Sequence, residues 1–457
     1  MKKPRLGSEP PSAIRRSPYG LFCLAQNQWG QELMLFSRRN GEPARVLITG
    51  GMGFIGSQLA EAYLEQGHCV SVVDDLSTGR FENIRHLIGR PGFRFAVEDV
   101  ANEVVLDRLA SESDLIFHLA AVVGVQLIVD SPMNTIHANV GGTEAVLKAA
   151  LRYHCKVLIT SSSEVYGKNE AVPFSEDSNI VMGPSTTNRW AYAASKVIDE
   201  FLGLAYCREK GLPVVVVRLF NTVGPRQSGQ YGMVVPRFVE QALSGESLTV
   251  YGDGKQSRCF THVKDVLRAL MLLVDVPGAE GQIFNVGSNE EITILDLAHR
   301  VVGLVEARGK RLGESLLNDS LPAGALVPIA GSGNGRIRML SYEEAYHSTS
   351  FEDMRRRIPS IDKIHRYTHW TPTLSLDDVI NDVLDEYAKP NLTRSDRKAW
   401  LATPPKYSAV ESRNVVQAVS SQRGKRVTTV GRTIGGTIPV GRLHEGVDHR
   451  PGRYDDA

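Results

Sequence analysis

Residues 45–67 of the 457-residue chain read RVLITGGMGFIGSQLAEAYLEQG, and this stretch decides the fold. It joins a short apolar run to a glycine-rich turn and then to a segment with the apolar spacing of an amphipathic helix. Gly50, Gly53 and Gly56 have the spacing GxxGxxG, and Gly51 extends the pattern to GxGxxG. Glycines in such a turn let the backbone approach a pyrophosphate, whose charge then lies at the N-terminus of the following helix.

A carboxylate follows at the end of the next apolar run. Asp74 lies 18 residues after Gly56, close to the spacing of about 20 that is typical of an acid that hydrogen-bonds the adenosine ribose of a dinucleotide. A turn that only packs a helix on a strand does not account for this acid. Because a negative charge repels a 2′-phosphate, the pattern favours NAD over NADP as the cofactor. Asp99, after the third run, is expected to reach the adenine.

Further apolar runs alternate with helix-like segments along the chain. The runs, rich in β-branched residues, are RVLIT (45–49), CVSVVD (69–74), FRFAVE (93–98), DLIFHL (114–119), KVLIT (156–160) and PVVVVRLF (213–220). Strands that are apolar throughout are typical of a parallel sheet with helices on both faces. The sequence therefore predicts an α/β fold, with a Rossmann-type doubly wound parallel sheet over residues 44–230 that binds NAD.

The remaining segments have weaker patterns. Residues 231–388 predict a smaller α+β C-terminal lobe for substrate binding, with a surface insertion at about 308–340. Residues 1–43 are interpreted as a disordered N-terminal extension, or as the product of a start placed too far upstream. Residues 389–457 are rich in Arg, Ser, Thr and Gly and poor in aromatics, so we expect a disordered tail, with a partner-binding segment as the alternative.

Composition excludes several classes of protein. The 52 basic residues nearly cancel the 51 acidic ones, so the chain lacks the positive field that non-specific nucleic-acid binding requires. No apolar run approaches the length of about 20 residues that a membrane-spanning helix needs, and we expect a soluble protein. The cysteines are odd in number, scattered and without a CxxC pair, which argues against a disulfide framework and a zinc site. We therefore expect a protein of the reducing cytoplasm that binds no metal. They are Cys23, Cys69, Cys155, Cys207 and Cys259.

A second stretch, NRWAYAASKVIDE at 188–200, carries the candidate chemistry. Tyr192 and Lys196 lie four positions apart and therefore share one face of the predicted helix. SSSEVYG at 161–167 follows the fifth strand, so its hydroxyls and Glu164 are expected at the carboxyl edge of the sheet, where dinucleotides bind. We expect the ammonium to lower the pKa of the phenol and make Tyr192 a base near neutral pH.

These stretches, together with further motifs, resemble the extended short-chain dehydrogenase/reductase family, specifically its nucleotide-sugar epimerases, dehydratases and decarboxylases. The resemblance covers residues 44–388 outside the predicted insertion. The additional motifs are VVDDLSTG (72–79), HLAA (118–121), HANVGGT (137–143), RLFNTVGPR (218–226), VYGDGKQSRCFTHVKDV (250–266) and FNVG (284–287).

The resemblance implies roles for individual residues. Tyr192 would deprotonate the C4 hydroxyl of a UDP-sugar while a hydride passes to NAD, with Lys196 on the nicotinamide ribose and Ser162 on the same hydroxyl. Glu164 joins them as a catalytic candidate. The implied cofactor contacts are Gly50, Gly53, Phe54, Ile55, Gly56, Asp74, Asp75, Ser77, Asp99, Val100, Leu119, Ala120, Ala121, Asn139, Tyr192 and Lys196. The implied substrate contacts are Ser163, Asn221, Val250, Arg258 and Arg357. Relatives are commonly homodimers through a helix bundle that includes the Tyr192 helix.

The fate of the resulting 4-keto sugar depends on neighbouring residues. Ser162, Ser163 and Glu164 stand where 4,6-dehydratases usually have Thr-Asp-Glu, which disfavours elimination. The Ser-Glu pair and FEDMRRRIPSI (351–361) resemble UDP-glucuronate decarboxylases, in which Arg357 falls on the arginine proposed to assist at the C6 carboxylate. HLAAVVGVQLIVDSP (118–132) is closer to epimerases. We therefore expect a UDP-hexuronate substrate, with decarboxylation and 4-epimerisation both open.

Two other classes of protein are alternatives. A sensor would bind the dinucleotide without turnover, but such relatives typically lose the catalytic tyrosine or lysine, and this chain keeps both. A simple alcohol dehydrogenase would release NADH, whereas epimerases and decarboxylases of this type recycle the cofactor.

Overall fold

The computed structural model describes residues 16–17, 20–26, 32–36, 42–229, 232–316, 336–346 and 353–388. Its strands are β1 (Arg16–Ser17), β2 (Gly20–Gln26), β3 (Glu32–Phe36), β4 (Arg45–Thr49), β5 (Cys69–Asp74), β6 (Phe93–Val97), β7 (Leu115–His118), β8 (Lys156–Ser162), β9 (Val214–Leu219), β10 (Thr222–Val223), β11 (Leu248–Tyr251), β12 (Ser257–Cys259), β13 (Thr261–His262), β14 (Gln282–Val286), β15 (Glu291–Thr293) and β16 (Ile337–Leu340). Its α-helices are α1 (Phe54–Glu65), α2 (Glu103–Ser111), α3 (Val125–Asp130), α4 (Pro132–Ile136), α5 (Gly142–Tyr153), α6 (Trp190–Lys210), α7 (Val234–Ser244), α8 (Val263–Asp275), α9 (Ile294–Leu316), α10 (Tyr342–Tyr346), α11 (Asp362–Thr368) and α12 (Leu376–Ala388).

A seven-stranded parallel sheet forms the centre of the predicted dinucleotide-binding domain. Its order is β14-β9-β8-β7-β4-β5-β6. All six apolar runs picked out in the sequence are strands of this sheet, and their side chains alternate between its two faces. In β4, Val46 and Ile48 pack into the core that contains residues of α1 and α8, whereas Leu47 packs into the core on the side of α2 and α5. The predicted Rossmann-type α/β fold is confirmed.

The edge strand β14 corrects the predicted domain boundary. The sequence placed GQIFNVG (281–287) in the smaller lobe, but β14 pairs in parallel with β9, with Phe284 opposite Val217. Helix α8, just before it, packs its apolar face into the same core as α1. Apolar periodicity identifies a strand but not the sheet that it joins. Residues 263–286 were therefore assigned to the smaller lobe, although they belong to the parallel sheet and the helices that cover it.

The smaller lobe has its own apolar core, formed mainly by α7, β11, α9 and α12. Its sheets are the pairs β11·β16 and β12·β15. The predicted insertion at 308–340 is narrower than expected, because α9 continues to Leu316 and β16 begins at Ile337; residues 317–335 lie outside the described residues. The predicted tail at 389–457 also lies outside them. Within the N-terminal extension, β1, β2 and β3 form an antiparallel sheet where disorder was predicted, and the rest of residues 1–41 is not described.

A buried ion pair fixes helix α6 against the sheet. Glu200 accepts two hydrogen bonds from the Arg218 guanidinium of β9, at 2.8 and 2.7 Å, and one from the hydroxyl of Ser161 in β8, at 2.6 Å. The Arg218 guanidinium also lies over the ring of Tyr166, 4.7 Å from its centroid. Glu200, one turn beyond Lys196, therefore anchors the helix that carries the catalytic candidates. None of the described helices combines the length and apolar character needed to cross a bilayer.

Candidate active site

A cleft of about 570 Å³ lies at the carboxyl edge of the parallel sheet. The strand order reverses between β4 and β7, and this switch point is where open α/β sheets bind ligands. Most residues predicted to contact the cofactor line the cleft, and so do the four catalytic candidates. Its lining includes Gly50, Gly53, Phe54, Ile55, Gly56, Asp74, Asp75, Ser77, Asp99, Val100, Leu119, Ala120, Ala121, Ser162, Ser163, Glu164, Tyr192, Lys196, Asn221, Arg258 and Arg357.

The glycine turn between β4 and α1 has no space for side chains. Gly50 has a φ of +67°, and a Cβ there would lie 2.8 Å from the backbone nitrogen of Ala120. A Cβ on Gly56 would lie 2.3 Å from the carbonyl oxygen of Gly50. Helix α1 begins directly after Gly53, so its free backbone N–H groups lie at the wall of the cleft. This cradle fits the pyrophosphate of NAD.

Asp74 ends β5 at the wall of the cleft. Its Oδ2 accepts a hydrogen bond from the Met52 N–H and its Oδ1 accepts one from the Leu76 N–H, both at 2.9 Å. Burial raises the pKa of Asp74 to about 6, although these backbone bonds oppose the shift. The carboxylate is therefore ionised at neutral pH and held in one orientation, as the predicted hydrogen bonds to a ribose require. Asp99 is exposed and also lines the cleft.

We expect Asp74→Ala to weaken NAD binding about tenfold, because it removes a hydrogen bond to a charged acceptor worth roughly 1.5 kcal/mol or more. NADP binding should fall less, since the charge that repels a 2′-phosphate is lost as well. In the unmutated protein, NAD affinity should decrease as the pH falls below about 6, where this carboxylate becomes protonated. Titration calorimetry with both cofactors measures each effect.

Asp107→Ala is the matched control, because Asp107 lies on α2 and bonds Arg152 and Tyr153 outside the cleft lining. An unchanged preference for NAD over NADP in Asp74→Ala would count against the ribose assignment.

Two predicted contacts do not lie in the cleft wall. Asn139 is buried, and its side chain accepts a hydrogen bond from the Val122 N–H at 2.8 Å and donates one to the Ser195 hydroxyl at 3.0 Å. It therefore braces the loop after β7 instead of lining the cofactor site. Val250 is fully buried in the apolar core of the smaller lobe, so its side chain cannot contact the substrate.

Helix α6 presents Tyr192 and Lys196 to the cleft, as the sequence predicted. Burial raises the pKa of Tyr192, and the Lys196 ammonium and the Ser162 hydroxyl oppose the shift without cancelling it. The ammonium therefore acts in the expected direction, but burial outweighs it, so the structure does not show the lowered pKa that was expected of the phenol. Spacing along a helix does not report how deeply a phenol is buried, which here decides the direction of the shift.

Beside Tyr192 lies a cluster of three arginines and two carboxylates, which we call the arginine cluster: Arg189, Arg258, Arg357, Glu164 and Asp353. Glu164 pairs with Arg189 at 2.5 Å and with Arg357 at 2.6 Å. Asp353 pairs with Arg258 at 2.8 Å and more distantly with Arg189, at 3.4 Å. All five side chains are mostly buried and all five residues line the cleft. Three guanidinium groups against two carboxylates leave one excess positive charge.

The electrostatics of the arginine cluster favour an anionic ligand. Burial acts to raise the pKa of Glu164, but Arg189 and Arg357 outweigh it and bring the pKa to about 2, so this carboxylate stays ionised. Burial lowers the pKa of Arg357 to about 10, and the neighbouring Arg258 and Arg189 add to that effect. The Nε of Arg357 is buried and has no hydrogen-bond partner among the residues that the structure describes. A ligand carboxylate would satisfy this donor and balance the excess charge.

Arg189 and Asp353 were not identified from the sequence. Arg189 lies three residues before Tyr192 and so had the spacing to share its helix face. Asp353 lies four residues before Arg357 and pairs weakly with it, at 3.9 Å. Both belong to residue types that are usually solvated, and only the fold brings them together.

Residues 46–287 match the model of the NAD dependent epimerase/dehydratase family. The chain is 35% identical over 342 residues to UDP-N-acetyl-alpha-D-glucosaminuronate decarboxylase of Bacillus cytotoxicus, covering 74% of this chain and 96% of that protein. It is 34% identical over 345 residues to UDP-glucuronic acid decarboxylase 1 of Xenopus tropicalis, covering 76% of this chain and 72% of that one.

Among solved structures, UDP-glucuronic acid 4-epimerase from Bacillus cereus, in complex with UDP-glucuronic acid and NAD, superposes with a TM-score of 0.61. It is 25% identical, and the match covers 75% of this chain and 98% of that one. A cradle that fits a pyrophosphate agrees with the NAD named in the family and in the solved structure. The chain belongs to the NAD dependent epimerase/dehydratase family and is an NAD-dependent enzyme.

Proposed function

We propose that this enzyme oxidises C4 of a UDP-hexuronate, releases its C6 carboxylate as CO2, and then returns the hydride to C4, which yields a UDP-pentose and regenerates the oxidised cofactor. The arginine cluster carries the choice of a sugar with a carboxylate, because it offers one excess positive charge and an unsatisfied Arg357 donor in the same cleft as Tyr192. The named relatives at 35% and 34% identity are decarboxylases of UDP-hexuronates, which supports the same reaction.

Some residues of the cleft transfer a proton, and others bind the substrate. Tyr192, in its ionised form, accepts the proton of the C4 hydroxyl, and Ser162 beside it orients that hydroxyl. Bound NAD supplies the hydride acceptor. A ketone at C4 makes the C6 carboxylate that of a β-keto acid, which loses CO2 readily. Arg357 binds this carboxylate, and the permanently ionised Glu164 holds the guanidinium groups of Arg357 and Arg189 in place.

The second candidate is 4-epimerisation of the same substrate class. It needs the same oxidation and the same carboxylate site, followed by rotation of the keto-sugar and return of the hydride to its other face. The structural likeness to the epimerase from Bacillus cereus favours this candidate. The arginine cluster alone does not separate the two reactions, since both substrates carry a carboxylate.

Product analysis separates them. The purified protein is incubated with NAD and, in turn, UDP-glucuronate, UDP-N-acetylglucosaminuronate, UDP-galacturonate and UDP-glucose, and nucleotide-sugar masses and released CO2 are measured. We expect a product lighter by one CO2 from at least one hexuronate and no stoichiometric NADH. A product of unchanged mass with a new retention time would establish the epimerase instead. Conversion of none of these sugars would overturn the proposal.

We also propose that the enzyme is a homodimer in the cytoplasm. Ile198 and Phe201 are 43% and 67% exposed on α6, three residues apart on one face, and a second copy would bury them. Free thiols at Cys69, Cys155, Cys207 and Cys259 support a reducing compartment. Light scattering should give twice the mass of the chain, and Phe201→Glu should give one chain mass. A monomeric mass for the unmutated protein would refute the dimer.

A further inference from the structure

A buried carboxylate lies directly on the lysine of the catalytic pair. Helix α6 places Asp199 three residues after Lys196, and the Lys196 ammonium donates a hydrogen bond to Asp199 Oδ2 at 3.1 Å. Asp199 is 0% exposed and Lys196 is 2% exposed. The second oxygen, Oδ1, is buried and has no hydrogen-bond partner within the described part of the chain. A buried carboxylate is costly unless it is paired, and the Lys196 ammonium supplies that pairing here.

The charged and titratable groups around this pair can be named element by element. From β7, His118 bonds Thr49 and Thr143; burial, with the Lys196 charge adding to it, lowers the pKa of His118 to about 3, so the ring is neutral. Burial raises the pKa of Asp199, and the Lys196 ammonium and the Thr143 hydroxyl from α5 oppose the shift. On α6 itself, the Glu200 carboxylate accepts hydrogen bonds from Arg218 and Ser161.

On the side of the cleft, the groups that act on Tyr192 are Lys196, Ser162, Glu164 and Asp199. Asp199 is thus the direct partner of Lys196, while Glu164 is held by the arginine cluster. Burial acts to lower the pKa of Lys196, but Asp199 and Tyr192 outweigh it and raise the pKa overall. Asp199 therefore keeps the lysine charged, and its own negative charge also raises the pKa of the phenol.

We propose that Asp199 is a positioning residue, which holds the Lys196 ammonium one helical turn from Tyr192 and offsets part of its charge, so that it sets the pH above which the phenol accepts a proton from the sugar. This inference rests on the proposed function, in which Tyr192 is the base. Asp199 makes Tyr192 a weaker acid, so the phenol ionises at higher pH. In return, Lys196 stays charged and fixed in a buried site.

Asp199→Asn tests the proposal, because it keeps the size and one oxygen acceptor of the side chain and removes the charge. We expect the acidic limb of the kcat/KM profile against pH to move to lower pH by about one unit, the order of shift that removing a nearby like charge produces. The sign follows because a phenol relieved of a nearby negative charge, with Lys196 still charged, loses its proton more easily; a limb that moves to higher pH would contradict the proposal. Asp199→Glu, which keeps the charge, should keep the limb of the unmutated enzyme.

A spectroscopic measurement makes the result independent of turnover. The ultraviolet difference spectrum of tyrosinate formation is recorded against pH with NAD bound, and the spectrum of the matching Tyr192→Phe variant is subtracted in each background. Tyr192 should ionise at lower pH in Asp199→Asn than in the unmutated enzyme. An unmoved titration and an unmoved acidic limb, with or without a loss of rate, would overturn the proposal. Absence of turnover with every UDP-hexuronate would overturn the proposed function instead, because the titration still reports on Asp199.

Discussion

Tyr192→Phe is expected to reduce turnover of a UDP-hexuronate by about 10³- to 10⁴-fold, the upper part of the range for general acid–base catalysis. The phenol oxygen is the only group that the substitution removes, and the ring still fills the same buried position. Tyr192 is 7% exposed, and its neighbours Ser162 and Lys196 remain in the cleft. NAD binding should therefore stay within a few-fold of the unmutated value. Initial rates and a parallel NAD titration measure the two effects.

Tyr206→Phe is the control for this substitution, since Tyr206 lies on the same helix but does not line the cleft. It should leave turnover unchanged. In the unmutated enzyme, kcat/KM should rise with pH through the ionisation of Tyr192, because only the deprotonated phenol accepts a proton. Near-normal turnover by Tyr192→Phe would show that another group is the base.

Arg357→Gln is expected to lower kcat/KM for UDP-glucuronate by about 100-fold or more. Removing one partner of a buried, hydrogen-bonded charge pair costs about 2 to 5 kcal/mol. The substitution also takes the net charge of the arginine cluster from one positive charge to zero and removes the Nε donor proposed for the sugar carboxylate. A sugar without a carboxylate, such as UDP-glucose, should bind with nearly unchanged affinity, because it does not need that charge.

The neighbouring Arg356 supplies a matched control for this experiment. Its side chain is 53% exposed and pairs with Glu291, and it is absent from the cleft lining. Arg356→Gln should therefore leave kcat/KM within about twofold. If Arg357→Gln weakens binding of UDP-glucose and UDP-glucuronate equally, then Arg357 supports the cleft as a whole and does not recognise the carboxylate.

The sequence predicted the parts of the site that are local in the chain. The glycine cradle, Asp74 and the Tyr192–Lys196 pair each depend on spacing within one strand, turn or helix, and the structure places all of them at one edge of the sheet. Apolar runs likewise identified six strands, because a strand buried on both faces must be apolar throughout.

What the sequence did not predict depends on contacts between distant segments. The arginine cluster joins residues from β12, from the loop after β8, from the residue before α6 and from the segment before α11. Burial, which decides the direction of the pKa shift at Tyr192, is also a property of the assembled fold. For the same reason, β14 was assigned to the smaller lobe and Val250 to the substrate contacts.

The return of the chain through α8 to β14 has a consequence for dissecting the enzyme. A fragment that stops at residue 230 would leave the outer edge of β9 without its neighbour and would strip α8 from the face of the sheet that it covers. Unpaired backbone at such an edge is a template for intermolecular strand addition. Expressing residues 44–230 by themselves should therefore give aggregates, and a fragment intended to fold must extend through β14.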